Sequence, residues 1–151
     1  EARIDHRLDA LTYSLSIPRG EDFWKIAPEE SYHRIHLALA VALSECGVHC
    51  RLADTSTVGT GLCFQGYVRW DVLNESGIKI SGAAQRRTRL GMLHQGSIQL
   101  PTIPENFVEK FSEILGEEVI AWDPPEPGFS EMVDDLATTR YGCPTWTERT
   151  K

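Results

Sequence analysis

The sequence predicts an α/β (α+β) domain in which helices pack on a mixed, largely antiparallel sheet. Three observations predict it. Strand-like and helix-like periodicities alternate irregularly along the chain. Residues 68–81 read as a hairpin, a connection open only to antiparallel neighbours. The 151 residues, 41% hydrophobic and 25% charged, have ordinary globular composition and suffice for one core but not two large ones. No apolar run approaches the roughly 18 residues of a membrane helix. Fifteen Lys/Arg against 22 Asp/Glu, a net charge of −7, argue against a nucleic-acid coat. Neither membrane nor nucleic acid is expected as a partner. The chain opens at Glu1 without a Met or a signal peptide, so it is expected to be a segment of a longer protein, residues 1–151 forming a single domain.

The elements follow in order. Leu11-Thr-Tyr-Ser-Leu-Ser-Ile17 alternates with period two and stops at Pro18-Arg-Gly20, a half-buried strand. Pro28-Glu-Glu30 opens a helix, with Pro in the first turn and acids at the positive dipole end. Its apolar stripe is Tyr32, Ile35, Leu39, Leu43 and Cys46, and Gly47 ends it. Val48 to Ala53 suits a short strand, and Asp54 to Gly61 a polar loop. Val68, Trp70 and Val72 alternate with Arg69 and Asp71, Asn74-Glu-Ser-Gly77 turns, and Ile78 and Ile80 alternate with Lys79 and Ser81. Matching apolar faces pairs Val72 with Ile78 and Trp70 with Ile80, and sets Asp71 opposite Lys79 on the other face. A four-residue loop breaks this match, so a bulge or longer loop is expected. Met92 to Leu100 is another strand. Thr102-x-x-Glu105 reads as a capping box for a helix carrying Phe107, Val108, Phe111, Ile114 and Leu115, closed by Gly116. Val119 to Trp122 suits a strand, Asp123 to Gly128 a loop, and Ser130 caps a last helix to Arg140.

Cys46, Cys50, Cys63 and Cys143 include no Cys-x-x-Cys pair and are few for a disulfide scaffold, so reduced thiols in a cytoplasmic setting are expected. Cys46, His49 and Cys50, with His33 and His36 upstream, have no usual zinc spacing. No metal is expected; His36 reads as a hydrogen-bonded core histidine and His33 as solvated.

Four features could carry chemistry. Lys79 precedes the small-residue run Ile-Ser-Gly82-Ala-Ala-Gln85, which would let a ligand approach the backbone, and its charge suits a carboxylate, a phosphate or an oxyanion. A plain exposed strand lysine is the alternative. Cys63 follows a glycine-containing loop, where a thiol can be exposed or simply structural. His94 suits general acid/base work or a structural hydrogen bond equally. Arg86, Arg87 and Arg89 form a basic patch in an acidic chain, either a solvated strand or a dock for an acidic protein.

Cys63-Phe64, the segment ending in Asp71-Val-Leu73, Lys79-Ile-Ser-Gly-Ala-Ala-Gln-Arg86 and Leu93-His-Gln-Gly-Ser-Ile98 together resemble the biotin/lipoate protein ligase catalytic family, more closely its lipoate-protein ligase and octanoyltransferase branch. His6 with Asp9 and Thr12-Tyr-Ser-Leu15, Ser31-Tyr32, Tyr141 and Trp146 extend the likeness to most of the chain. The resemblance implies a fold like the class II synthetase core. It implies transfer of a lipoyl or octanoyl group to a lysine of a lipoyl carrier domain. The donor is an acyl carrier protein thioester, used through Cys63 without a cofactor, or free lipoate or octanoate activated with ATP and Mg. A non-catalytic lipoyl-domain or acyl-binding relative is the third reading. In this resemblance Lys79 and Cys63 are catalytic. His6, Asp71, Ser81, Gly82, Ala83, Gln85, His94 and Gly96 bind substrate, backbone N–H groups near Gly82 and Ala83 steady the oxyanion, and Arg86, Arg87 and Arg89 dock the partner. The family's Arg-x-x-Gly-Gly-Gly loop should precede His6, yet residues 1–5 hold no glycine, so the segment is expected to lack that N-terminal part.

Overall fold

The structure, a computed structural model, describes residues 10–57, 66–116, 120 and 128–144. They fall into two compact units, residues 1–118 and 119–151. The first contains the predicted architecture, a five-stranded sheet with helices packed on it. The strands are β1 (Leu11–Pro18), β2 (Cys50–Leu52), β3 (Val72–Asn74), β4 (Lys79–Thr88) and β5 (Gly91–Ile98). They lie in the order β1-β5-β4-β3-β2, with every neighbouring pair antiparallel.

A short helix α1 (Asp22–Lys25) precedes the main helix α2 (Pro28–Glu45). Pro28 stands in the first turn of α2 as expected. At its other end Gly47 adopts φ +82°, Gly47 N–H reaches Ser44 O at 3.0 Å and Val48 N–H reaches Leu43 O at 2.9 Å, a Schellman closure that glycine makes strain-free. The stripe Ile35, Leu39 and Leu43 is wholly buried and meets Val72, Ile80, Met92 and Ile98 of the sheet, with Phe107 and Phe111 of α3 (Phe107–Leu115) closing the core. Truncating Leu39 or Leu43 to alanine in such a core costs about 2–5 kcal/mol. In the second unit, α4 (Phe129–Leu136) runs on into a π-helical turn, Ala137–Tyr141.

Several expectations need correction. The apolar hairpin match fails: Leu73 partners Lys79, Val72 partners Ser81, and Ile78 is 61% exposed. The turn decides the register. Asn74 Oδ1 accepts the Ile78 N–H at 2.9 Å and Gly77 takes φ +75°. The mismatch is absorbed by the expected bulge, which lies between Val72 and Leu73. Val68 to Trp70 are not strand, because Trp70 enters the left-handed region at φ +75°. The Thr102–Glu105 box does not start α3, whose N-cap is Asn106, and Gly128 rather than Ser130 precedes α4. His33 is not solvated but stacks on Trp70, ring centroids 4.1 Å apart. The expected strand over Val119 to Trp122 and the loop after it lie largely outside the described residues.

Candidate active site

Beyond β3, the edge of β4 loses its strand partner, and a cluster of side chains assembles there. Asp71 sits just before β3 and is completely buried. A buried carboxylate must be compensated. Its Oδ2 accepts from Val68 N–H and pairs with Lys79 Nζ, both at 2.9 Å, and its Oδ1 accepts from the Tyr32 hydroxyl at 2.6 Å. Lys79 leads β4, and its side chain is 12% exposed. Gly82 makes the arrangement possible: a methyl group there would collide with Lys79 Cε and Nζ and crowd Asp71 Oδ1. The sequence pairing of Asp71 with Lys79 thus holds through side chains, although the backbone register differs.

Tyr32 reaches this edge from the first turns of α2. Besides donating to Asp71 its oxygen accepts the Ala83 N–H at 3.1 Å, and it stands 3.3 Å from Ala83 O. Burial, then the hydrogen bond to Asp71 and that carboxylate's charge, push the phenol far above its ordinary pKa, so it acts as a neutral donor. This corrects the expected oxyanion donors. The Ala83 amide is committed to Tyr32, and by the alternation of an antiparallel ladder the Gly82 amide points the other way, toward its partner Ser97 on β5.

Lys79 lines an open groove of about 480 Å³ together with Thr12, Gly82, Ala83, Ala84, Gln95, Gly96 and Ser97. Gly96 also leaves room for the Tyr13 ring, which a methyl group would strike. A second, mostly apolar cavity of about 320 Å³ is lined by Pro28, Glu29, Tyr32, Ser56, Val68, Arg69, Trp70 and Gln85. Tyr32 is the side chain that lines this cavity and also touches Asp71. Beside this cavity, Arg69 N–H reaches Ser56 Oγ at 2.9 Å, and next to it Thr57 N–H reaches Tyr67 O at 2.8 Å. Cys63 lies between Thr57 and Tyr67 in the sequence and His6 near the start of the chain; both fall outside the described residues.

Lys79, Gly82, Ala83 and Gly96 line the groove, whereas Ser81, Gln85 and His94 do not. Ser81 and His94 are fully buried. The Gln85 amide is satisfied with its oxygen accepting from Tyr32 N–H at 3.2 Å and His94 Nδ1 at 3.1 Å, and its nitrogen donating to Ser31 Oγ and Pro28 O. His94 Nε2 then accepts from the Tyr13 hydroxyl at 3.2 Å. Burial, reinforced by neighbouring His36, pushes His94 down to about 3. Both ring nitrogens of His94 are thus hydrogen-bonded within the fold. His36 donates from Nδ1 to Trp70 O at 2.7 Å, and burial pushes it down to about 4, which makes it the expected hydrogen-bonded core histidine.

The arginines also divide. Arg86 and Arg89 are exposed. Arg87 is not a docking residue: its guanidinium donates to Trp24 O at 2.8 Å, Phe23 O at 3.1 Å and Ser31 Oγ at 2.6 Å. Sequence reasoning missed Tyr32 and Tyr13. Both sit on apolar-patterned faces, where a tyrosine reads as core, and only the three-dimensional neighbourhood of Asp71 and His94 shows what their hydroxyls do. Among the described residues no three His, Cys, Asp or Glu side chains group as a metal site, and no helix is long and apolar enough to cross a membrane.

The family model for the lipoyl protein ligase A/B catalytic domain matches residues 4–133. The chain belongs to that family. Within the lipoyl protein ligase A/B fold, two solved structures from Thermoplasma acidophilum are similar. One is a protein assigned as a lipoate protein ligase, with bound lipoic acid, at TM-score 0.65 and 14% identity, covering 93% of this chain and 65% of that one. The other is of a bi-partite lipoate protein ligase and its E2 lipoyl domain, at TM-score 0.59 and 14% identity, covering 93% and 64%. The chain thus spans just under two thirds of their length. No curated protein sequence matches it.

Proposed function

We propose that this chain carries the acyl-transfer centre of a protein-lipoylating enzyme, moving an octanoyl or lipoyl group to a lysine of a lipoyl carrier domain. One observation carries the reading: the Lys79 ammonium, ion-paired with buried Asp71, borders a groove floored by glycine and alanine. A fixed cation beside an accessible backbone is what a carbonyl acquiring negative charge requires. Membership of the lipoyl protein ligase family supports the same chemistry.

In this reading Cys63 is the nucleophile. Its thiolate attacks the thioester carbonyl of an acyl carrier protein, the carrier's thiol leaves with a proton, and a thioester to Cys63 forms. The lipoyl-domain lysine amine then attacks that thioester, Cys63 departs as thiolate, and the amine's proton leaves to water. Lys79 stabilises both tetrahedral oxyanions. The step needs no ATP, and a reducing cytoplasm suits it. Cys46 and Cys50 form no disulfide. Arg86 and Arg89, exposed on one hairpin, would meet the acidic acceptor; Arg87 is withdrawn from that role. His6 remains a proposed substrate contact.

A second reading, ATP-dependent ligation through an acyl-adenylate, is favoured by the groove's polar rim. Thr12, Gln95 and Ser97 suit a phosphate or ribose, and Lys79 suits the acid carboxylate or α-phosphate. Incubation with octanoyl carrier protein, or with octanoate or lipoate plus ATP and Mg, in the presence of a lipoyl-domain acceptor separates the two. Thioester transfer predicts an acyl adduct on Cys63 by intact mass, lost in Cys63→Ser. Ligation predicts ATP-dependent acceptor modification that survives this substitution. A domain that leaves the acceptor unmodified with either donor is a binding relative, and the proposal fails.

A further inference from the structure

We infer that Tyr32 is a positioning residue for this centre, acting on Lys79 through Asp71; the inference deepens the acyl-transfer reading and rests on it. The geometry is specific. β3 abandons the edge of β4 after Ser81, and the next outward-facing backbone groups, those of Ala83, would lie open. The Tyr32 oxygen accepts the Ala83 N–H at 3.1 Å and donates its own O–H to Asp71 Oδ1 at 2.6 Å. One hydroxyl therefore ties the groove floor to the carboxylate that holds the ammonium.

Asp71 has its second oxygen shared between Val68 N–H and Lys79. Without the phenol, Oδ1 is buried and unmatched, which makes the observed rotamer costly. The carboxylate can then rotate about its own bond, and the ion pair loses its fixed direction. The Tyr32 ring is separately anchored, 4.1 Å from the His36 ring, so removal of the hydroxyl alone leaves the packing in place. The neutral phenol never touches the reacting carbonyl in this scheme, which is why the role is positioning.

The test is Tyr32→Phe, with Tyr32→Leu as a second hydroxyl-free variant should the first not fold. In acyl transfer, kcat should fall about tenfold while KM for the acceptor stays within twofold. In an Asp71→Asn background the same change should cost less than twofold, because the path through the carboxylate is already cut. A readout independent of catalysis is the amine-labelling rate of Lys79 by mass spectrometry, with Lys25 and Lys110 as internal controls. It should rise at least threefold in Tyr32→Phe. Additive losses in the double variant, or an unchanged Lys79 labelling rate, overturn the inference. Absence of transfer by the unaltered protein with both donors overturns the acyl-transfer reading instead, and the labelling ratio still decides whether Tyr32 holds Lys79.

Discussion

β4 carries a functional-looking cation near each end, and the two are built for different work. Lys79 is ion-paired with a buried carboxylate and lines a groove of small residues. Arg87, eight residues on, spends its guanidinium on the carbonyls of Phe23 and Trp24 and the hydroxyl of Ser31, clipping α1 and the start of α2 to the sheet. Charge and position in the sequence make them equals. What separates them is the setting: Lys79 pairs with a carboxylate at the border of a groove, whereas Arg87 meets backbone carbonyls and a hydroxyl of α1 and α2. In the proposed function the Lys79 end serves chemistry, and the Arg87 end serves stability.

The largest effect should come from Lys79→Ala, which removes the cation and strands Asp71. Acyl transfer should fall by at least a hundredfold, and chemical denaturation should show a loss of about 3 kcal/mol, the scale of an unpaired buried charge. Arg87→Ala should invert the pattern: stability falls by about 2 kcal/mol, from lost charge-assisted hydrogen bonds, with kcat unchanged. Equal losses of activity in the two variants would erase the distinction.

Acid titration sharpens the same contrast, because the interior behind β4 rests on neutral histidines. His36 and His94 are pushed down from 6.5 to about 4 and about 3. Below about pH 6.5 the unfolded chain binds protons that the folded chain refuses, so stability is full above that value and falls as pH drops toward 4. Each histidine contributes roughly 1.4 kcal/mol per pH unit within that window. His94→Gln should make the decline visibly shallower in urea midpoints measured from pH 7 to pH 4. A flat profile would mean that the histidines are not held neutral. The smallest effect should come from Arg86→Glu with Arg89→Glu, which leaves stability unchanged and raises the acceptor KM several-fold, less so at high salt.

Much of this was legible in the residues. Period-two and period-3.6 patterns located β1 and α2, and Lys79 with its glycine-alanine run announced a groove. Apolar matching failed at the hairpin because the Asn74 side chain and Gly77, not Val72 and Ile78, set the turn. Tyr32 was hidden because one ring both fills a helix stripe and carries a hydroxyl to a carboxylate 39 residues away. The Arg87 clip was invisible for a similar reason, its acceptors being backbone carbonyls more than 60 residues distant.

The most direct measurement is the intact mass of a lipoyl-domain acceptor after incubation with each donor system and with the unaltered protein, Lys79→Ala or Arg87→Ala. One added acyl group is expected with the unaltered protein and with Arg87→Ala, and none with Lys79→Ala. Full acylation by Lys79→Ala would contradict the proposed role of Lys79.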